Sequence, residues 1–79
     1  MNKKAEEKEL TQARIEGLGE AIRDARAAQG LSQTKLGLMI GSGQSYVYRL
    51  ENGRLAVGID RLILIADALG LKVSDLIDF

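Results

Sequence analysis

A chain of 79 residues, 46% hydrophobic and 28% charged, can bury one small core and behaves as one small domain. With no cysteine and no histidine it excludes disulfides, thiol catalysis and the usual zinc sites. Formal net charge is zero, but residues 17–54 carry +2 and residues 55–79 carry −2, so the middle is basic and the C-terminal part acidic.

No apolar run reaches membrane-spanning length, and the N-terminus MNKKAEEKEL is too polar for a signal peptide. A cysteine-free chain of this kind fits the cytoplasm. Proline is absent, and Val and Ile recur at helical rather than alternating spacing, which predicts an all-α domain. Residues 1–10 read as a flexible, solvated arm, and residues 11–79 as the single domain. Thr11 is placed to cap the first helix, with Leu10 and Ile15 at hydrophobic-staple spacing. That helix continues through Leu18, Ile22 and Ala25 and stops at Gly30; Gly17 and Gly19 weaken its start. Ser32 caps a second helix, Gln33 to Ile40, with Leu36 and Ile40 on one face, and Gly41 ends it. A third helix from Gln44 to about Asn52 turns Val47 and Leu50 inward and ends at Gly53. A fourth, Ile59 to Leu69, presents Leu62, Ile65, Ala66 and Leu69 and stops at Gly70. Ser74 is placed to cap a short fifth helix with Leu76 and Ile77.

The stretch GSG at 41–43 is the organising feature. A phosphate-binding loop needs a preceding strand and a following GK[ST], and neither is present. A linker would have to join two halves that are each too short to fold. The remaining reading is a tight corner between two short helices. Gly37 supports it, because a mid-helix glycine costs about 1 kcal/mol relative to alanine and here lets the third helix approach the second closely.

The segment SQTKLGLMIGSGQSYVYRLENG resembles the helix-turn-helix of the phage-repressor type (Cro/CI-like, or XRE). The resemblance extends upstream to LGEAIRDARAAQGLSQ and downstream to LILIADALGLKVSDLI, so it covers roughly residues 18 to 77. It implies a compact five-helix, lambda-repressor-like DNA-binding domain with the motif at helices 2 and 3. Two positions depart from the pattern: Ser42 stands where an apolar residue is usual, and Gly43 where a capping Ser or Thr is usual.

In this geometry the N-terminal end of the third helix enters the major groove of double-stranded DNA. Since 47 and 50 face inward, residues 44, 45, 48 and 49 face outward. Gln44 can pair with adenine N6 and N7, and Arg49 with guanine O6 and N7. Ser45 can donate to or accept from several base edges, and Tyr48 can lie against backbone or a thymine methyl. The resemblance puts Gln44, Ser45 and Arg49 at base-reading positions and Gln33 at a phosphate-contacting helix start. Lys35, Asn52 and Arg54 are further phosphate candidates. Tyr46 reads as packing or a dimer rim, and Lys3 and Lys4 as part of a solvated tail. The resemblance also pairs Arg26 with Glu51 as a structural ion pair tying the reading helix to the scaffold.

One such motif reads only a few base pairs, so a homodimer on a palindromic site is expected. Leu76 is assigned inward and Ile77 and Phe79 to the dimer interface. No cofactor, metal, enzymatic half or small-molecule domain is encoded in these residues, and scattered carboxylates give no catalytic pattern. The rival reading is a protein-interaction module, or an antitoxin that binds a protein partner with the same scaffold; zero net charge is its main support.

Overall fold

The computed structural model describes residues 3–77 and 79. Four α-helices follow one another: α1 Lys3–Ala28, α2 Gln33–Met39, α3 Gln44–Glu51 and α4 Ile59–Ala68. A 3₁₀ turn, Val73–Asp75, comes last, and no strand occurs among the described residues. No helix among them is long and apolar enough to cross a membrane.

The fold is all-α, but four-helical rather than five-helical. The segment expected as a capped fifth helix is a single 3₁₀ turn, with Ser74 inside it rather than before it. In a 3₁₀ turn residues three apart eclipse one another. Val73 and Leu76 therefore both reach the core from one side, Leu76 buried and Val73 packed against it. The Asp75 carboxylate accepts from the Lys72 backbone N–H at 2.8 Å and closes the turn.

The other difference lies at the start of α1. Thr11 is inside the helix, its hydroxyl donating to the Glu7 carbonyl at 2.8 Å, so it caps nothing. Leu10, expected in a staple, is 52% exposed on the helix surface. The residues before it, KKAEEKE, are nearly all strong helix formers, which carries the helix N-terminally past the body. Residues 3–10, expected as an arm, are all exposed.

All four α-helices end alike. After α2, Ser42 N–H donates to the Gly37 carbonyl (2.7 Å) and Gly41 N–H to the Leu38 carbonyl (3.2 Å). Gly41 supplies φ +69° at that bend. The same paired bonds close α3 at Gly53, with Arg54 N–H on the Arg49 carbonyl at 2.9 Å.

The core is Ile22 of α1, Leu36 of α2, Ile40, Val47 and Leu50 of α3, and Leu62, Ile65, Ala66 and Leu69 at α4, closed by Leu76. Leu18 and Ala25 pack at its edge. Two glycines set how closely α3 is held. A Cβ on Gly37 would lie 2.7 Å from the Gly43 carbonyl carbon, and one on Gly19 would lie 2.5 Å from the Leu50 carbonyl oxygen. Gly37 thus brings α2 against the start of α3, and Gly19 brings α1 against its end.

Candidate nucleic-acid interface

Helix α3 carries its apolar residues on one side and its polar residues on the other. Val47 and Leu50 are buried, whereas Gln44, Ser45, Tyr48 and Arg49 are exposed. The three-residue corner 41–43 aims the helix. Gly43 takes the cap position in extended geometry (φ −121°, ψ 174°) without a side-chain cap bond. Its place could hold a side chain, because a Cβ there meets nothing within 4 Å.

The far end of α3 is fastened by charge. Arg26 Nε donates to Glu51 Oε2 at 2.6 Å, and Nη2 donates to Oε1 at 2.8 Å. Arg26 Nη1 also donates to the Leu31 carbonyl at 2.8 Å. Glu51 is 3% exposed, a charged residue buried beside the core. Its hydrogen bonds hold Arg26 above its ordinary value, with the Glu51 charge adding to this and burial opposing it. A forked guanidinium matches a carboxylate in two places at once, so the pair fixes orientation as well as charge.

Gln33, half-buried at the first position of α2, does not stand alone. Its Nε2 donates to Glu51 Oε1 at 3.1 Å, and its Oε1 accepts from Gln44 Nε2 at 2.7 Å. The structure therefore joins Arg26, Glu51, Gln33 and Gln44 in one hydrogen-bonded row from the scaffold to the first residue of α3.

The remaining candidates are placed differently. Lys35 is exposed; its backbone N–H donates to Ser32 Oγ at 3.0 Å, so Ser32 caps α2. Asn52 is exposed, but its side chain turns back to the Tyr48 carbonyl at 2.8 Å. Arg54 lies over the Tyr48 ring at 5.9 Å, and Arg49 Nε reaches the Ser45 carbonyl at 3.4 Å. Tyr46 packs against the core beneath Arg61, whose guanidinium lies 5.0 Å from its ring centre. Ile77 is half-buried and Phe79 exposed, with Arg14 4.7 Å above the Phe79 ring. Both line an apolar groove of about 300 Å³ with Ile15, Leu18, Leu55 and Val57.

Four positioning residues escaped the sequence reading. Gly19 looked like a weak point of α1 and is its contact with α3; a mid-helix glycine was the available signal, as it was for Gly37. Gln12 donates to the Gly53 carbonyl at 2.9 Å, Gln29 to the Leu69 carbonyl at 2.6 Å and Arg61 to the Ile40 carbonyl at 3.1 Å. Each satisfies a carbonyl at a helix end. No sequence pattern marks a contact whose partner lies 21 to 41 positions away.

The helix-turn-helix family profile matches residues 22–76. Among solved structures, the chain is similar to the restriction-modification controller protein C.AhdI from Aeromonas hydrophila. The identity is 33% and the TM-score 0.78, covering 81% of this chain and 97% of that one. It is also similar to the clp gene regulator ClgR from C. glutamicum, at 34% identity and TM-score 0.76, covering 77% and 78%. The hydroxypropylphosphonic acid epoxidase from S. wedmorenis shares the fold over 35% of its own length, at 24% identity and TM-score 0.78. No curated protein sequence matches. A profile match over most of the chain, on a fold that exposes one face of α3, places this chain in the XRE-type helix-turn-helix family of DNA-binding transcription regulators.

Proposed function

We propose that this protein is a cytoplasmic, sequence-specific repressor that binds a palindromic operator as a homodimer and reads the major groove with α3. The observation that carries the reading is the exposed row Gln44, Ser45, Tyr48 and Arg49 on a helix whose other side is buried. A donor–acceptor amide, Gln44, and a guanidinium five positions later, Arg49, are the groups that discriminate adenine and guanine in that groove. Gln33, Lys35, Asn52 and Arg54 contact phosphates on either side and set the register. Ile77 and Phe79 form the two-fold contact, supported by the apolar groove they line. The relatives described as a controller protein and a gene regulator support a regulatory role.

Selection from a random-sequence DNA pool at two salt concentrations tests this. A palindromic site should emerge, affinity should fall with salt as phosphate contacts release counterions, and Gln44→Ala with Arg49→Ala should lose the site preference. Equal behaviour of wild type and variant, with no sequence enriched, would refute base reading by α3 and turn attention to a protein partner.

A further inference from the structure

The row Arg26–Glu51–Gln33–Gln44 has a direction as well as a geometry. We propose that Arg26 and Glu51 are positioning residues for base recognition, and that through Gln33 they set which way the Gln44 amide faces the DNA. The inference rests on the reading of Gln44 as a base contact.

A carboxylate only accepts hydrogen bonds. Arg26 donates one hydrogen bond to each Glu51 carboxylate oxygen, so both oxygens are acceptors and the one 3.1 Å from Gln33 can be met only by the Gln33 NH₂. That turns the Gln33 carbonyl oxygen toward Gln44, 2.7 Å away, and the oxygen can be met only by the Gln44 NH₂. Gln44 is left with one N–H and its carbonyl oxygen facing outward. One donor beside one acceptor matches adenine, which offers the N7 acceptor and the N6 donor. In the opposite sense both Gln44 N–H groups would face outward, a match to the two acceptors of guanine. The buried ion pair thus favours A·T over G·C at the base pair under Gln44, although neither Arg26 nor Glu51 reaches DNA.

The test compares affinities for the selected site and for the same site with G·C in place of A·T under Gln44. The proteins are wild type, Gln44→Ala, Glu51→Gln, and Glu51→Gln combined with Gln33→Glu. Both affinities come from one protein sample, so a smaller folded fraction weakens both and leaves their ratio unchanged. A neutral Gln at 51 can face Gln33 with either end of its amide. Glu51→Gln should therefore lower the A·T preference about fivefold or more, on the scale of one bidentate contact. Adding Gln33→Glu puts an acceptor-only group directly beside Gln44 and should restore the preference, while weakening binding to all sequences by its charge. If Gln44→Ala changes the preference and Glu51→Gln does not, the positioning role is overturned and the base-reading role stands. If Gln44→Ala leaves the preference at that base pair intact, both are overturned.

Discussion

Glu51 sits where a charge is expensive, and Arg26 with its two bonds to the carboxylate is what makes the position tolerable. Removing either partner leaves the other charge buried. Arg26→Met or Glu51→Ala should therefore cost about 3–5 kcal/mol, which urea denaturation would register as loss of most of the stability of so small a domain. Arg26→Lys is not a mild change, because one ammonium cannot span both carboxylate oxygens and the Leu31 carbonyl at once. A midpoint unchanged by Arg26→Lys would show that charge alone holds α3. Because the folded state raises the Arg26 value, its stabilisation is complete below the unfolded value and is lost only as pH rises through the folded one. Arg26 thus adds no pH dependence near neutrality. Arg49, by contrast, is exposed and makes one long internal contact at 3.4 Å. Arg49→Ala should leave thermal unfolding nearly unchanged while relaxing preference at one base pair of the selected site.

The glycines of α1 and α2 look equivalent in sequence and are opposite in the fold. Gly17 has nothing within 4 Å of an added Cβ and lies mid-helix. Gly17→Ala should stabilise by about 0.5–1 kcal/mol through helix propensity. Gly19→Ala and Gly37→Ala place a carbon against backbone carbonyl groups of α3 and its cap, which cannot swing aside. Each should destabilise by about 1–3 kcal/mol, and each should weaken DNA binding by tilting α3. Denaturant titration of the three variants separates the two cases, and the same sign for Gly17 and Gly19 would contradict the close crossing at Gly19. At the start of α3, Gly43→Ser fits the extended cap geometry and open space. It should raise stability by a few tenths of a kcal/mol by capping an unsatisfied N–H.

At the scale of the whole molecule, the distribution of charge matters more than its sum. Helices α2 and α3 and their flanks carry the basic excess, while the acidic residues after α3 include Asp60, Asp67 and Asp75. A neutral protein of this design should still show a salt-dependent DNA affinity, with a slope set by the number of phosphates neutralised rather than by net charge. Lys35→Ala should shallow that slope by about one unit and leave base preference unchanged, as a phosphate contact requires. The dimer proposal is tested by sedimentation: Ile77→Asp with Phe79→Asp should give a folded monomer, and a variant that still sediments as a dimer would move the two-fold contact elsewhere.

Four helix ends, the buried set from Ile22 to Leu76 and the outward row on α3 were legible in the sequence. Glycine after an amphipathic run and a 3.6-residue period are local signals, carried by neighbours along the chain. The departures were also local in cause. A run of Lys, Glu and Ala extends α1 whether or not Thr11 could cap it, and two apolar residues three apart tighten the last segment into a 3₁₀ turn. What the tertiary structure alone decided is which of two similar glycines is a crossing point, and that Gln33 joins Glu51 to Gln44. Both depend on atoms brought within about 3 Å from 11 to 32 positions apart. The sequence names the groups, and only packing sets the distance and the direction of each hydrogen bond.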